Sequence, residues 1–150
     1  MGHCISVYLI HKSELRNEKI NSVIEGGDSE DGILVKSKIK SNDLIWTELK
    51  EGVLATEHIP NIKEWGKDKT IVRITTDYFG GSGHQTAKVF IDNKKVYDKS
   101  DEFEWNEKPI NTALKMMGIQ RNPQMDEFDT IGLGRYRSNA DFNYKITQSI

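Results

Sequence analysis

The chain has 150 residues, of which 36% are hydrophobic, so it is long and apolar enough for one domain, residues 1–150, with a single core. Its net charge of −2 lacks the basic excess of proteins that bind nucleic acid through their charge, so we do not expect such a role. One cysteine, Cys4, excludes an intrachain disulfide and is typical of a reducing compartment. No apolar run approaches the roughly 20 residues of a membrane-spanning helix, and the N-terminus lacks a signal-peptide pattern. We therefore expect a cytoplasmic protein without contact to a membrane.

The N-terminal quarter predicts one strand and one helix. Residues 4–10, CISVYLI, are apolar on both faces, which favours a strand in the centre of a sheet. Ser13 is a suitable cap for a helix over residues 14–25, whose apolar stripe comprises Leu15, Ile20, Val23 and Ile24. Gly26 follows this segment and predicts its end.

The middle of the chain is less regular. Residues 26–32, GGDSEDG, form an acidic loop that is either a solvated connection or a contact patch for a basic partner. Residues 33–39 fit a strand or a helix. A further helix is predicted through Lys50 after the capping residues 41–43, and Pro60 predicts the start of another short helix.

A three-stranded antiparallel meander is predicted from residue 70 onwards. Residues 70–79 alternate in polarity and are rich in β-branched side chains, as in a half-buried strand. The glycines of residues 80–83, GGSG, predict a bend and a loop over residues 80–85. The next strand covers residues 86–91, and turn residues 92–94 lead into a third strand at 95–97.

The clearest helix covers residues 109–117. Pro109 is favourable at its start, Gly118 at its end, and the apolar positions Ile110, Ala113, Leu114 and Met117 lie on one side. The predicted fold is therefore α+β: a mainly antiparallel sheet with a glycine-rich bend, packed against the helices 14–25 and 109–117.

Two segments are candidates for a ligand or partner-binding site: the loop 80–85 with its flanks, and residues 126–137, DEFDTIGLGRYR. Glycine-rich backbone exposes N–H groups, and arginine binds carboxylate or phosphate through paired donors, so the two segments could bind an anion if they meet. The alternative is a tight bend with structural Arg–Asp pairs. The candidate residues are Asp77, Tyr78, His84, Gln85, Glu127, Arg135, Tyr136 and Arg137.

The sequence contains no recognisable catalytic or cofactor motif. The glycines are followed by neither the Gly-Lys-Ser/Thr of a P-loop nor a helix, as a dinucleotide site requires. The histidines lack zinc-ligand spacing, and residues 126–129 lack the glycine and terminal glutamate of a calcium loop. We predict no catalytic residue, no metal ligand and no cofactor.

Three stretches carry a resemblance: TTDYFGG, INTALKMMGI and DEFDTIGLGRYR. They resemble a group of small stand-alone bacterial proteins over roughly residues 54–141. The resemblance implies a bacterial cytosolic protein and identifies no catalytic residue.

Two functions compete. The first is a non-enzymatic protein-binding protein, such as an inhibitor or immunity-type protein that neutralises a toxin or other partner protein through the acidic residues 28–31 and 98–107 or through the loop 80–85. A small, mildly acidic chain with aromatic residues in polar stretches favours it. The alternative is a small enzyme or ligand-binding domain for an anionic substrate. It would use His84 as acid/base group, Arg135 and Arg137 as anion clamp, and Asp77 or Glu127 to orient them.

Overall fold

The structure is a computed structural model that describes residues 3–15, 20–25, 36–41, 44–79, 82–101, 108–136 and 138–139. Within these ranges the strands are β1 His3–His11, β2 Ile20–Glu25, β3 Lys36–Ser41, β4 Leu44–Glu48, β5 Val53–Thr56, β6 Thr70–Phe79, β7 Ser82–Ile91 and β8 Lys94–Asp101. The α-helices are α1 Ile62–Trp65, α2 Pro109–Met116 and α3 Glu127–Thr130. Short 3₁₀ turns cover Lys12–Leu15, Lys50–Gly52 and Leu133–Arg135.

The strands form one eight-stranded sheet in the order β2-β3-β4-β5-β1-β6-β7-β8. Every neighbouring pair is antiparallel. β1 lies between two meanders, β2 to β5 and β6 to β8, and pairs with β5 through its second half and with β6 over most of its length. The α+β fold and the central position of residues 4–10 are thus confirmed.

One face of the sheet, which we call the helix face, packs against α2. Side chains of β1, β6 and β7 alternate, so every second residue points to this face. The buried residues there are Ile5, Val7, Leu9, Val72, Ile74, Ala87 and Val89. They contact Ile110, Ala113 and Leu114 of α2, together with Ile131 and Leu133 after α3. Burial of these apolar side chains fixes α2 and the following segment on the sheet.

The opposite face carries a second core near β4 and β5. It comprises Ile10, Leu15, Leu44, Trp46, Leu54, Ile59 and Ile71, with Trp65 of α1 packed against them. The rings of Trp46 and Trp65 lie 5.5 Å apart. Farther along, this face is polar: Ser6 and Thr86 both lie beside Thr75 in the strand register.

Two predicted helices are wrong. Instead of a helix over residues 14–25, the chain forms the turn Lys12–Leu15 and then β2. Instead of a helix through Lys50, it forms β4, whose Leu44 and Trp46 enter the second core. In both segments, pairing with neighbouring strands outweighs a local spacing that also fits a helix.

The structure also shows what forms around residues 33–39 and after Pro60. Residues 36–39 of the ambiguous segment 33–39 belong to the strand β3, and a short helix, α1, begins two residues after Pro60. Residues 26–35, with the acidic loop 26–32, lie outside the described residues.

The predicted meander is confirmed, and its second and third strands are longer than expected. β6 covers residues 70–79, and the turn residues Asp92 and Asn93 have positive φ angles of 51° and 64°. β7 begins at Ser82, so His84 and Gln85 belong to a strand and the prediction of a loop through residue 85 is wrong. Gly80 and Gly81 lie outside the described residues. The helix predicted at 109–117 is confirmed as α2, and no described helix combines the length and apolarity needed to cross a bilayer.

Candidate functional site

A cleft of about 320 Å³ opens on the helix face, where the ends of β1, β6 and β7 meet the starts of α2 and α3. We call it the α2–α3 cleft. Its lining residues are His3, Tyr78, Gln85, Lys108, Asn111, Asp126, Phe128 and Asp129. This volume is at the lower end of ligand pockets, which span roughly 300–1,000 Å³.

Gln85 connects the sheet to the first turn of α2. Its Oε1 accepts a hydrogen bond from the backbone N–H of Ile110 at 2.9 Å. Its Nε2 donates to the hydroxyl oxygen of Tyr78 at 2.7 Å. Lys108, the residue before α2, provides no side-chain cap, so Gln85 satisfies an N–H group that the helix itself leaves free. The same side chain therefore caps α2 and holds Tyr78 in the cleft wall.

Asn111 and Asp126 connect α2 to α3. Asn111 Oδ1 accepts from the backbone N–H of Phe128 at 2.8 Å, and its Nδ2 donates to Asp126 Oδ2 at 3.1 Å. Asp126 Oδ1 caps α3 by accepting from the Asp129 N–H at 2.9 Å. This side of the cleft is held in place by hydrogen bonds before any ligand arrives.

His3 forms the opposite wall. Its Nε2 lies 3.3 Å from the carbonyl oxygen of Leu133, which can only accept, so Nε2 donates. Its Nδ1 lies 2.7 Å from Thr76 Oγ1. The centre of the imidazole ring is 5.4 Å from that of the Phe128 ring, and the two ring planes are tilted by 58°. Two neighbouring aromatic rings therefore line the cleft.

The charges of the cleft lining are two carboxylates and one ammonium group. Lys108 Nζ lies 3.8 Å from Asp126 Oδ2, and the lysine side chain is 52% exposed, which makes this a weak, solvated ion pair. Burial, and next the neighbouring Asp126 carboxylate, raise the pKa of Asp129 above its ordinary value. At neutral pH the lining therefore carries an excess of negative charge.

The structure brings two of the predicted site residues into the cleft, Tyr78 and Gln85. Asp77 and His84 are register partners on β6 and β7 and, because side chains alternate along a strand, they point to the opposite face. His84 therefore does not line the α2–α3 cleft.

The remaining predicted residues have other surroundings. Glu127 is buried, 3% exposed, and pairs with Lys115 at 3.7 Å. Tyr136 belongs to the helix-face core. Arg135 contributes backbone to a 3₁₀ turn, while its side chain and Arg137 lie outside the described residues.

Six lining residues are not among the predicted site residues: His3, Lys108, Asn111, Asp126, Phe128 and Asp129. Asp126 is a residue type that favours the N-cap of a helix, and its side chain accepts a hydrogen bond from the Asp129 N–H. This pattern could have predicted the start of α3. His3 had no such signal, because its partners Thr76 and Leu133 are 73 and 130 residues away in sequence.

The polar side chains of the cleft are mostly hydrogen-bonded within the fold. Across the described part of the chain, no three His, Cys, Asp or Glu side chains are grouped closely enough to ligate one. Gln85 and Asn111 do not titrate, and both are engaged in hydrogen bonds within the fold.

Asp129→Asn should change how stability depends on pH. A carboxyl with a raised pKa binds more protons in the folded than in the unfolded state, so the wild type loses stability as pH rises through that range. The variant lacks this loss and should be the more stable protein at neutral pH. Because Asp129 is exposed, the gain should stay below about 1 kcal/mol. Melting temperatures measured across the acid range test this.

Asp98→Asn is the control of opposite sign. A hydrogen bond from Lys95 lowers the pKa of Asp98, so this carboxylate stabilises the fold above its pKa. Its variant should be the less stable protein at neutral pH, and the difference should vanish on acidification. Identical pH profiles for the two variants would contradict the opposite environments of the two carboxylates.

No protein-family model matches this chain, and no match was found among curated proteins or among solved structures. The geometry of the cleft is therefore the basis for assigning it a function.

Proposed function

We propose that this chain is a non-enzymatic bacterial protein-binding protein of the cytoplasm, an inhibitor or immunity-type protein that neutralises a toxin or other partner protein. The α2–α3 cleft is its recognition site. The observation that supports this most is the combination of aromatic walls with polar side chains that are already hydrogen-bonded within the fold. Such a preorganised cleft pays little ordering entropy when a partner binds.

Catalysis is less well supported by the same geometry. A general acid or base has to reach the substrate with a proton it can exchange. In the cleft, Asp126 already accepts hydrogen bonds with both oxygens and His3 donates to a backbone carbonyl, so Asp129 is the one carboxyl of the lining that could exchange a proton. His84 points away from the cleft. Recognition needs none of these groups to change protonation.

The size and surroundings of the cleft suit an anchor side chain of a protein partner. Binding energy in protein interfaces concentrates in a few side chains that fill pockets, and aromatic residues are common there. The cleft offers Tyr78 and Phe128 for such a contact.

The test compares three baits: the wild type, Phe128→Leu and Lys88→Ala. Phe128→Leu keeps an apolar side chain against the core and removes the ring, while Lys88 is exposed on the opposite face. A protein captured from the native lysate is identified, purified and titrated against each variant by calorimetry. We expect a 1:1 complex with the wild type and Lys88→Ala, and an affinity at least about tenfold lower with Phe128→Leu.

A neutralisation assay completes the test. Co-production with the wild type should relieve the partner's growth inhibition, and co-production with Phe128→Leu should do so less well. The proposal is wrong if no purified partner binds, or if Phe128→Leu binds and neutralises as well as the wild type. Turnover of an anionic substrate that His84→Ala abolishes would instead support the enzyme hypothesis.

A further inference from the structure

We infer that the α2–α3 cleft receives a basic side chain, the guanidinium of an arginine or the ammonium of a lysine, presented by the partner protein. This inference rests on the proposed function and specifies its chemistry. Three features of the cleft support it: its unmatched carboxylate, its aromatic walls and its size.

The first feature is the unmatched carboxylate of Asp129. Both oxygens of Asp126 accept hydrogen bonds, from Asn111 and from the Asp129 N–H, and Lys108 approaches Asp126. Within the described residues, the Asp129 carboxylate has no such donor. Burial and the Asp126 charge raise its pKa, although the Lys108 ammonium acts in the opposite direction. A bound cation with N–H donors would replace water at this exposed carboxylate with an opposite charge and charge-assisted hydrogen bonds.

The second feature is the aromatic lining. Phe128 and Tyr78 present rings next to the carboxylates, and cations bind favourably over such rings. The described part of the fold contains such contacts elsewhere: the Arg73 guanidinium lies 4.5 Å from the Tyr8 ring centre, and the Lys69 ammonium 4.5 Å from that of Trp65. An organic cation with an alkyl stem therefore matches both parts of the lining.

The third feature is size, which together with charge excludes other occupants. At about 320 Å³ the cleft holds a long side chain more readily than a folded segment of backbone. An anion would meet Asp126 and Asp129. A bare metal ion would lack ligands, because the described residues offer no group of three.

The experiment is an NMR titration of the whole protein with N-acetyl-arginine amide and N-acetyl-lysine amide. N-acetyl-citrulline amide, which has nearly the same shape and no charge, is the matched control. We expect saturable shifts of the Asn111, Phe128 and Asp129 amides with the two cations, and binding weaker by about tenfold or more with citrulline. High salt should weaken the binding of the cations and leave that of citrulline unchanged.

Three variants test the assignment to individual charges. Asp129→Asn should weaken arginine binding by about fivefold or more, whereas Glu64→Gln, which removes an equal charge from the exposed side of α1 at the opposite face, should leave it unchanged. Lys108→Ala should tighten binding, because the ammonium near Asp126 competes with the ligand.

The possible results separate this inference from the proposed function. Equal binding of citrulline and arginine, or no saturable shift with either cation, would overturn the inference, while Phe128-dependent partner binding could still hold. If arginine binds in the cleft but no partner protein depends on the cleft, the cleft is a cation site. The cation is then not presented by a protein partner.

Discussion

Gly83→Ala is expected to lower the free energy of unfolding by about 3 kcal/mol or more. Gly83 lies in β7 opposite Tyr78 with a φ of +145°, a backbone conformation that side chains strongly disfavour. A Cβ there would sit 2.0 Å from the carbonyl oxygen of Asp77 and 2.7 Å from the Cα of Tyr78. Both are backbone atoms, which cannot rotate out of the way, so the hairpin itself has to shift.

Gly118→Ala is the matched control. Gly118 also has a positive φ, +98°, but its Cβ would meet no atom within 4 Å. It should therefore show only the conformational cost, about 1 kcal/mol. Chemical denaturation of both variants measures the difference. Equal destabilisation would mean that the hairpin accommodates a side chain at position 83 and that the close contact does not constrain it.

Gln85→Leu is expected to destabilise the protein by about 2 kcal/mol. Gln85 is only 6% exposed and Ile110 is fully buried, so the leucine would leave the Ile110 N–H without a partner in an apolar environment. Losing a helix cap costs roughly 0.5–2 kcal/mol, and an unsatisfied buried donor roughly 1–3 kcal/mol. Both figures describe the loss of the same hydrogen bond to the Ile110 N–H, so the expected cost is about 2 kcal/mol and not their sum.

Tyr78→Phe distinguishes the cap from the tyrosine contact. It removes the hydroxyl that accepts from Gln85 Nε2 and leaves the bond to Ile110 intact, so it should cost about 1 kcal/mol. The double variant should be less destabilised than the sum of the two single variants, because the lost Gln85–Tyr78 bond is counted twice. Amide exchange of Ile110 should accelerate in Gln85→Leu alone. Normal protection of Ile110 in that variant would show that α2 is capped by another group.

The elements that the sequence predicted well are those with a clear local pattern. Residues 70–79 alternate in polarity, and residues 109–117 combine helical spacing with Pro109 and Gly118; both form as expected. Residues 14–25 fail because Ile20, Val23 and Ile24 also match the spacing of a helix. These residues pair with β3, more than ten residues further along the chain, and this pairing stabilises a strand. A pattern of neighbouring residues does not show such a pairing.

The candidate site was also predicted only as far as local sequence patterns allow. Tyr78 and Gln85 were found because they flank the glycines, and they line the cleft. Their sequence neighbours Asp77 and His84 were included for the same reason, but strand alternation directs them to the other face. The hydrogen bond by which Gln85 caps α2 at Ile110 joins residues 25 positions apart in the sequence. No local sequence motif predicts such a bond.

The central position of β1 has a consequence for biogenesis. The ribosome releases this strand before β5 and β6, its two neighbours, have been made. Each meander closes through nearby residues, whereas β1 must wait for partners such as Thr76, which bonds to His3 across 73 residues. During synthesis its apolar residues need protection from aggregation, and in refolding its insertion between the two meanders is expected to be the slow step.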